Sequence, residues 1–346
     1  MARSSGATIL TEIGTDITGL LRPSLLSVSV TQRLHGRADE VSIKLEDRDG
    51  TWRQDWKPSP GDAIRVRYSL SGWREEGDDR RIDWGLFEID KVRLQGAPSR
   101  VTVGAQSASV TRSMRHQKRT QAWQETTLKG IASEIAGRHD LQLRYGADRV
   151  PKHERLDQDQ TPDLRFLRRQ AERWNLSLRV DDDRLIITSD GQLEVLSDPA
   201  HRSAVGGGAE EFLTCTRFEL EEKTYELAGK CVVTYDDAIK AKKMKREVSD
   251  PAVPDTAETL TVNERVRSPD QCRLRAAANL ERHNRERFVA QLSLPGRPQV
   301  RPGFLLPIEG FGRFDGDYVI DEATHKISRS GYETDASLRK KREPLA

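Results

Sequence analysis

The sequence has few cysteines and no long apolar run. Its three cysteines, Cys215, Cys231 and Cys272, are odd in number and far apart. This pattern predicts neither a disulfide framework nor a zinc knuckle, and it is typical of a protein that folds in a reducing cytoplasm. No stretch approaches the ~20 apolar residues that a membrane-spanning helix needs. The first residues also lack the charged start and apolar stretch of a secretory signal peptide, so no secretion by this route is expected.

An excess of charge of either sign is also missing. The chain has 57 lysines and arginines against 55 aspartates and glutamates, which leaves a net charge of +2. This balance argues against a protein whose whole surface binds nucleic acid or membranes. Basic residues do cluster at Lys240–Arg246 and Arg339–Arg342. We expect a solvated loop and a solvated tail there, and a polyanion site is the alternative interpretation.

Motifs for catalysis or cofactor binding are absent as well. The seven histidines are scattered, without a His-x-x-x-His pair or a cysteine partner, so no metal site is predicted. The glycine run at 206–208 lacks a following Gly-Lys-Ser/Thr and predicts a flexible loop. Asp181–Asp183 is explained by a hairpin turn without a catalytic role. We therefore predict no catalytic residue, no cofactor, no metal and no enzymatic activity.

Residues Thr161–Ser189 carry the clearest local pattern. Thr161 is predicted to cap a helix and Pro162 to occupy its first position. Apolar residues then recur at three- and four-residue steps, which predicts an amphipathic helix, and from Leu176 the period falls to two, which predicts a hairpin. An earlier helix and strand precede this stretch. Together they predict an α/β module over residues 111–190, in the order helix, strand, linker, helix, strand, strand.

The regions before and after this module are predicted to be rich in strands. Val41, Ile43 and Leu45 alternate with polar residues, as do several later segments. One helix interrupts the second region: Ser268, followed three residues later by Gln271, forms a capping box and predicts a helix through about residue 284.

Two stretches of the chain resemble each other. Pro60–Val66 and Pro302–Ile308 both begin with a Pro-Gly turn followed by an apolar strand. Each is followed by Gly-x-aromatic-x-Ile-Asp, at Gly85–Asp90 and at Gly316–Asp321. We interpret these as two copies of one unit, with chance similarity of turn-strand pairs as the alternative. The predicted fold class is therefore β-rich α+β, with two similar antiparallel tube-type β-barrels, at 1–110 and 191–346, around the α/β module. Three such chains could close a ring of six barrels.

Three groups of residues extend this interpretation to a known family. They are Trp123–Leu128 with Ile131, Ala132 and His139–Leu141; Asp163–Leu167 with Leu176 and Asp182–Ile187; and Leu294–Gly296, Arg301–Gly303, Gly310–Gly312, Asp315–Ile320, His325 and Gly331–Thr334. With these residues the chain resembles the phage late control protein D family, the central baseplate hub of contractile tails. The second group is also similar to the hub-like part of VgrG spike proteins.

The resemblance implies a structural role in a virion or particle tail baseplate, with synthesis in the cytoplasm of the bacterial host. It implies a homotrimer whose six barrels form a pseudo-six-fold ring with an axial channel. Such a hub adapts the six-fold tail tube to the three-fold spike. The implied partners are the chain itself, the tail tube protein or a tube initiator, the spike protein, the tape measure protein and other baseplate proteins. DNA or an effector would pass transiently, and stable membrane insertion is not expected.

The matched motif also supplies candidate interface residues. The glycines are expected to permit positive φ in a turn near a subunit contact, with ordinary hairpin geometry as the alternative explanation. Asp315 and Tyr318 belong to the same motif. The candidates are Gly310, Gly312, Asp315, Gly316 and Tyr318. Two alternative functions stay open at this point. One is a tail-associated cell-wall hydrolase, which would need an acid or nucleophile constellation, and the other is a DNA-contacting tail module that uses Lys240–Arg246.

Overall fold

The computed structural model describes the chain in thirteen segments. They are residues 4–11, 15–35, 37–54, 59–72, 79–108, 112–147, 149–181, 183–196, 200–201, 213–237, 242–254, 257–263 and 268–345. The predictions for the glycine run at 206–208 and for Asp182 fall outside these residues. Within them, no helix combines the length and the apolar character needed to cross a bilayer.

The N-terminal region forms an antiparallel sheet, here called the first sheet half. Its elements are β1 (Ser4–Thr11), α1 (Thr18–Leu21), β2 (Leu25–Arg33), β3 (Glu40–Glu46), α2 (Thr51–Gln54), β4 (Ala63–Ser71), β5 (Arg80–Gln95) and β6 (Arg100–Ser107). The strand order is β1-β4-β5-β6-β3-β2. Alternate residues of β3 and β4 are buried, as the sequence alternation predicted, because successive side chains point to opposite faces of a sheet.

The middle module follows and contains two small sheets. Its elements are α3 (Arg112–His116), β7 (Lys118–Thr127), α4 (Leu128–Arg138), β8 (Gln142–Gly146), β9 (Lys152–Pro162), α5 (Asp163–Arg173), β10 (Ser177–Asp181) and β11 (Arg184–Thr188). Strand β11 pairs with β10 and β8, while β7 pairs with β9. The stretch predicted as a linker is therefore strand β9. Its residues are mostly polar, and for that reason hydrophobic periodicity did not reveal it.

The predicted start of α5 was wrong. The Thr161 hydroxyl donates to the Asp159 carbonyl at 2.6 Å, and Thr161 and Pro162 pair with β7 as the end of β9. The helix begins instead at Asp163, a buried residue whose carboxylate accepts from Gln158 at 2.8 Å. Burial alone would raise the pKa of Asp163, but the hydrogen bonds that it accepts lower that pKa. Strand pairing therefore decides where the helix starts, because it commits Thr161 and Pro162 to an extended conformation.

The rest of the chain forms a second sheet half with an inserted unit. The elements are β12 (Glu194–Val195), β13 (Ala200–His201), β14 (Leu213–Thr214), β15 (Arg217–Glu222), β16 (Ala228–Asp237), β17 (Lys242–Ser249), β18 (Glu258–Asn263), α6 (Pro269–Asn284), β19 (Phe288–Pro295), β20 (Phe304–Glu309), β21 (Gly316–Ser328) and β22 (Gly331–Lys340). The second sheet half comprises β12–β15 and β19–β22. Strands β16–β18 and α6 form the inserted unit.

Helix α6 is present where the capping box predicted it. The Ser268 hydroxyl accepts from the backbone N–H of Gln271 at 3.1 Å. Its apolar face, with Cys272, Ala276 and Leu280, packs on strand β16 of the inserted unit.

The two basic runs differ from the predictions. Residues 242–246 of the first run lie in strand β17, paired with β16, and not in a loop. In the second run, Arg339 is 4% exposed and forms ion pairs with Asp190 and Asp321, while Arg342 pairs with Asp250. The second run was predicted to be solvated because its acidic partners are not its neighbours in the sequence.

The two sheet halves have the same strand order. The second half runs β13-β20-β21-β22-β19-β15, which repeats the first half strand for strand. One difference is that β12 and β13 pair with β20 in parallel, whereas β1 pairs with β4 antiparallel. Strand β2 also pairs with β21, so both halves belong to one 14-stranded sheet. The β-rich prediction is confirmed, but the described strands do not close into two separate barrels.

The internal repeat extends to matching hydrogen bonds. Gly61 has a φ of 100° and donates its N–H to the Ile89 carbonyl at 2.7 Å. Gly303 has a φ of 85° and donates to the Ile320 carbonyl at 3.1 Å. In both copies the strand after the Pro-Gly turn is antiparallel to the one that carries the isoleucine. The two hairpins are therefore equivalent in conformation as well as in sequence.

Candidate functional site

The five candidate interface residues lie together in and beside the turn between β20 and β21. Gly310, Gly312 and Gly316 have φ values of 81°, 64° and 136°. Residues with a Cβ are strained in this left-handed region, so the turn favours glycine at all three positions. The glycine pattern predicted from the sequence is thus a requirement of this backbone.

Asp315 and Tyr318 hold the turn in place. The Asp315 carboxylate accepts from the Phe311 N–H at 2.6 Å, and the Tyr318 hydroxyl donates to the Phe314 carbonyl at 2.8 Å. Burial, with a smaller contribution from the charge of Asp315, raises the pKa of Tyr318 to about 12. The hydroxyl therefore stays protonated and keeps donating. Lys340 of β22 adds a hydrogen bond to the Asp315 carbonyl at 2.6 Å.

This turn supports the edge strand β15. The rings of Phe311 and Phe218 pack edge to face with their centroids 4.9 Å apart. Arg313 lies 3.2 Å from the carboxylate of Glu222, the last residue of β15. The candidate residues thus shape a turn whose neighbouring side chains fix the position of an edge strand.

A second region of interest is the contact between β2 and β21, here called the joint. Residues 27–33 of β2 pair with residues 328–322 of β21. The hydroxyls of Thr31 and Thr324 are 2.9 Å apart, and Arg33 forms a 2.7 Å ion pair with Glu322. The sequence did not predict the joint, because strand pairing over about 300 residues leaves no local pattern.

The core of the joint contains His325 and Tyr332, which belong to the third group of residues in the family resemblance. His325 is fully buried and stacks on Trp84 of β5 with ring centroids 4.6 Å apart. One His325 ring nitrogen lies 2.8 Å from the Tyr332 hydroxyl, and the other lies 3.1 Å from the Val300 carbonyl. The Tyr68 hydroxyl is within 3.0 Å of two carbonyl oxygens, one on each side of the joint.

The burial of His325 makes the stability of the fold depend on pH. Desolvation, with the nearby charge of Arg301, lowers the pKa of His325 to about 3 from an ordinary value of 6.5. Between these values only the unfolded chain binds the proton, so stability is fully present above pH ~6.5 and falls as the pH decreases toward 3. At ~1.4 kcal/mol per pKa unit, the free energy of unfolding is lower at pH 5 than at neutral pH by about 2 kcal/mol because of His325.

We expect His325→Gln to reduce this loss of stability in acid. The glutamine retains hydrogen-bonding capacity but does not titrate. Urea unfolding of both proteins at pH 7 and pH 5 measures the effect, and the wild type should lose about 2 kcal/mol more than the variant. His153, whose pKa is also lowered by burial, to about 4, is present in both proteins and does not affect the difference. Equal losses in the two proteins would contradict the prediction.

The described residues do not assemble a metal-binding cluster. No group of three or more histidine, cysteine, aspartate or glutamate side chains in these segments is arranged to hold a metal ion. In the first basic run, Lys245 and Arg246 are exposed on β17, and the Lys242 side chain is not described.

Comparison with known proteins identifies the family. Residues 54–331 match the family described as phage tail baseplate hub (GPD). A probable baseplate hub protein of Escherichia phage 186 is 25% identical over 96% of this chain and 92% of its own length. One from Escherichia phage P2 is 32% identical over 51% of this chain, and that match spans only 43% of the P2 protein.

Solved structures agree in fold. A 43 kDa tail protein of prophage MuSo2 from Shewanella oneidensis has a TM-score of 0.70 at 14% identity, with 97% of this chain and 98% of that chain covered. A Francisella PdpA-VgrG complex has a TM-score of 0.53 at 10% identity, with 100% of this chain and 60% of that chain covered. The predicted resemblance to VgrG is therefore confirmed at the level of fold.

The family match extends over most of the chain and includes Trp84 and His325 of the joint. These matches do not favour the alternatives of a cell-wall hydrolase or a DNA-contacting module. The chain belongs to the phage tail baseplate hub family, which is a structural family and not an enzyme family.

Proposed function

We propose that this chain is the central hub subunit of a contractile tail or related injection particle and acts as a homotrimer. Three chains place six similar sheet halves around one axis and leave a channel along it. The observation that carries this proposal is the repeated strand order of the two halves. Two equivalent units in one chain give a three-chain ring approximate six-fold symmetry.

The arrangement within the chain supports this proposal. The halves lie side by side in one sheet, joined by seven paired residues from Ser27 to Arg33. This contact already joins two neighbouring units of the proposed ring. The candidate turn at Gly310–Gly316 then belongs to one half of each subunit and occurs three times in the ring.

The hub reconciles two symmetries. Six sheet halves present similar edges to a six-fold tail tube protein or tube initiator. The middle module and the inserted unit occur once per chain, so they present three copies of an unlike surface to a spike protein. We propose domain boundaries at 1–110, 111–190 and 191–346, with the tape measure protein and then DNA or an effector passing along the channel. The subunit is made in the host cytoplasm before assembly into the baseplate.

Light scattering of the purified chain tests the proposal. We expect a mass three times that of one chain and, in negative-stain images of the same fraction, a ring with a central hole. Some rings could require a partner for closure, so the spike protein is added in a second measurement. A chain that stays monomeric in both measurements contradicts the proposal.

A further inference from the structure

We propose that strand β15 of one subunit pairs with the exposed edge of β5 in a second copy of this chain, at residues 91–95. This contact repeats between subunits the joint that β2 and β21 form within one subunit. The inference rests on the proposed trimer and specifies its subunit contact.

Strands β5 and β21 are equivalent around this edge. Ile89 and Ile320 occupy the same place in the repeated hairpins, and each is followed by a bulge in the pairing with the next strand. Counting five residues onward gives Leu94 in β5 and His325 in β21. Leu94 of β5 is therefore the counterpart of His325 of β21.

Strands β2 and β15 are equivalent by the same reasoning. Across two intervening strands, Val30 of β2 aligns with Ile89. Leu220 of β15 aligns with Ile320 through the corresponding strands of the second half. Leu220 is therefore the counterpart of Val30.

The two copies differ in what covers this edge. In the second half, β2 covers residues 322–328 of β21, and His325 is 0% exposed. In the first half, β4 pairs with β5 only as far as Glu88, and residues 91–95 have no strand on that side among the described residues. Val92 and Leu94 are consequently 38% and 52% exposed. An uncovered strand edge with apolar side chains is a surface suited to pairing with another strand.

Strand β15 has the complementary open edge. It pairs with β19, and its other side carries no strand within the described segments. Phe218 is 42% exposed, whereas its counterpart in β2, Val28, is fully buried. Strand β2 is thus covered by β21 in the first half, whereas the equivalent edge of β15 in the second half is open among the described residues.

Transferring the register of the joint gives complementary pairs. Val30 lies opposite His325 in the joint, so the equivalent leucines, Leu220 and Leu94, lie opposite each other between subunits. Opposed apolar side chains stabilise antiparallel pairing.

The adjacent pair is complementary in charge. Thr31 lies opposite Thr324 in the joint. Their counterparts are Glu221 and Arg93, which places opposite charges on neighbouring subunits. Cross-strand pairs of opposite charge also stabilise pairing.

The contact has the polarity that a closed ring needs. Each subunit offers one β5 edge and one β15 edge, so the contact is head to tail. In the proposed trimer, three joints within subunits alternate with three contacts between subunits. A head-to-tail contact that did not close at three subunits would instead produce larger assemblies.

Cysteine crosslinking tests this register in the full-length chain. We expect the double variant L94C/L220C, treated with a short thiol crosslinker, to give covalent dimers and trimers and no larger species. The matched control is L94C/E221C. Neighbouring residues of a strand point to opposite faces, so the control pair should not exceed the crosslinking of the single variants. The native cysteines, Cys215, Cys231 and Cys272, are buried and present throughout.

Charge reversal provides a test that does not depend on crosslinking. Arg93→Glu should raise the concentration at which trimers dissociate, and the double variant R93E/E221R should restore it. Trimers without the specific crosslink and without this rescue would overturn the strand pairing but leave the proposed hub. A chain that remains monomeric with the spike protein present would overturn both.

Discussion

Replacing Arg339 with methionine is expected to lower the free energy of unfolding by about 3 kcal/mol. The guanidinium is buried in β22 and pairs with the carboxylates of Asp190 and Asp321. Methionine fills much of the volume but leaves both carboxylates without their cation. Both acids keep some contact with solvent, which places the expected loss at the lower end of the range for a broken buried ion pair.

The same variant should respond differently to acid. Burial alone would raise the pKa of Asp321, but the charge of Arg339 lowers it. This stabilising contribution is therefore present above the ordinary carboxylate range and is lost as the pH falls through the lowered value. The difference between wild type and variant should shrink in acid, because a protonated aspartate no longer needs the guanidinium.

Urea unfolding at neutral and acidic pH measures both effects. The control is Arg329→Met, which removes an exposed arginine from the turn between β21 and β22 and should change stability by no more than ~0.5 kcal/mol. Equal stabilities for the Arg339 and Arg329 variants would show that the buried ion pairs contribute nothing.

Gly296→Ala is expected to destabilise the chain by about 3 kcal/mol, at the upper end of the range for overpacking. A Cβ at this position would lie 2.1 Å from the ring of Tyr332, far closer than packed atoms allow. That ring belongs to the core of the joint, where its hydroxyl contacts His325. The added methyl group must therefore displace a rigid ring from the contact between the two sheet halves.

Thermal unfolding and trimer mass test this prediction together. Gly6→Ala is the matched control, because a Cβ at Gly6 meets nothing within 4 Å. We expect the Gly296 variant to unfold at a lower temperature and to form less trimer than the control. Unchanged behaviour of the Gly296 variant would mean that the joint tolerates movement of Tyr332.

Local features of the fold could be predicted from the sequence. The capping box at Ser268 predicted α6, and alternation predicted strands such as β3. These features depend on neighbouring residues, whose contacts are visible in a few consecutive positions. The glycines at Gly310–Gly316 came from the motif matched by the family resemblance, and their expected positive φ is a property of the local backbone, which the structure has at all three.

The features that escaped prediction depend on distant partners. Arg339 was assigned to a solvated tail because Asp190 is far away in the sequence. The pairing of β2 with β21 was missed because the residues of a strand do not specify which other strand it pairs with. One local signal was available: Trp84 directly precedes the repeated Gly-x-aromatic motif, and a tryptophan on a strand needs a large surface to pack against. In the structure that surface includes His325.

Placing the β2–β21 contact inside one polypeptide changes the kinetics of assembly. Two halves on one chain find each other at an effective concentration set by the connecting segments, so this step does not slow as the protein is diluted. A ring of three such chains needs three subunits to meet, whereas six separate halves would need six. Hub formation should therefore depend far less steeply on expression level than the completion of a true hexamer would.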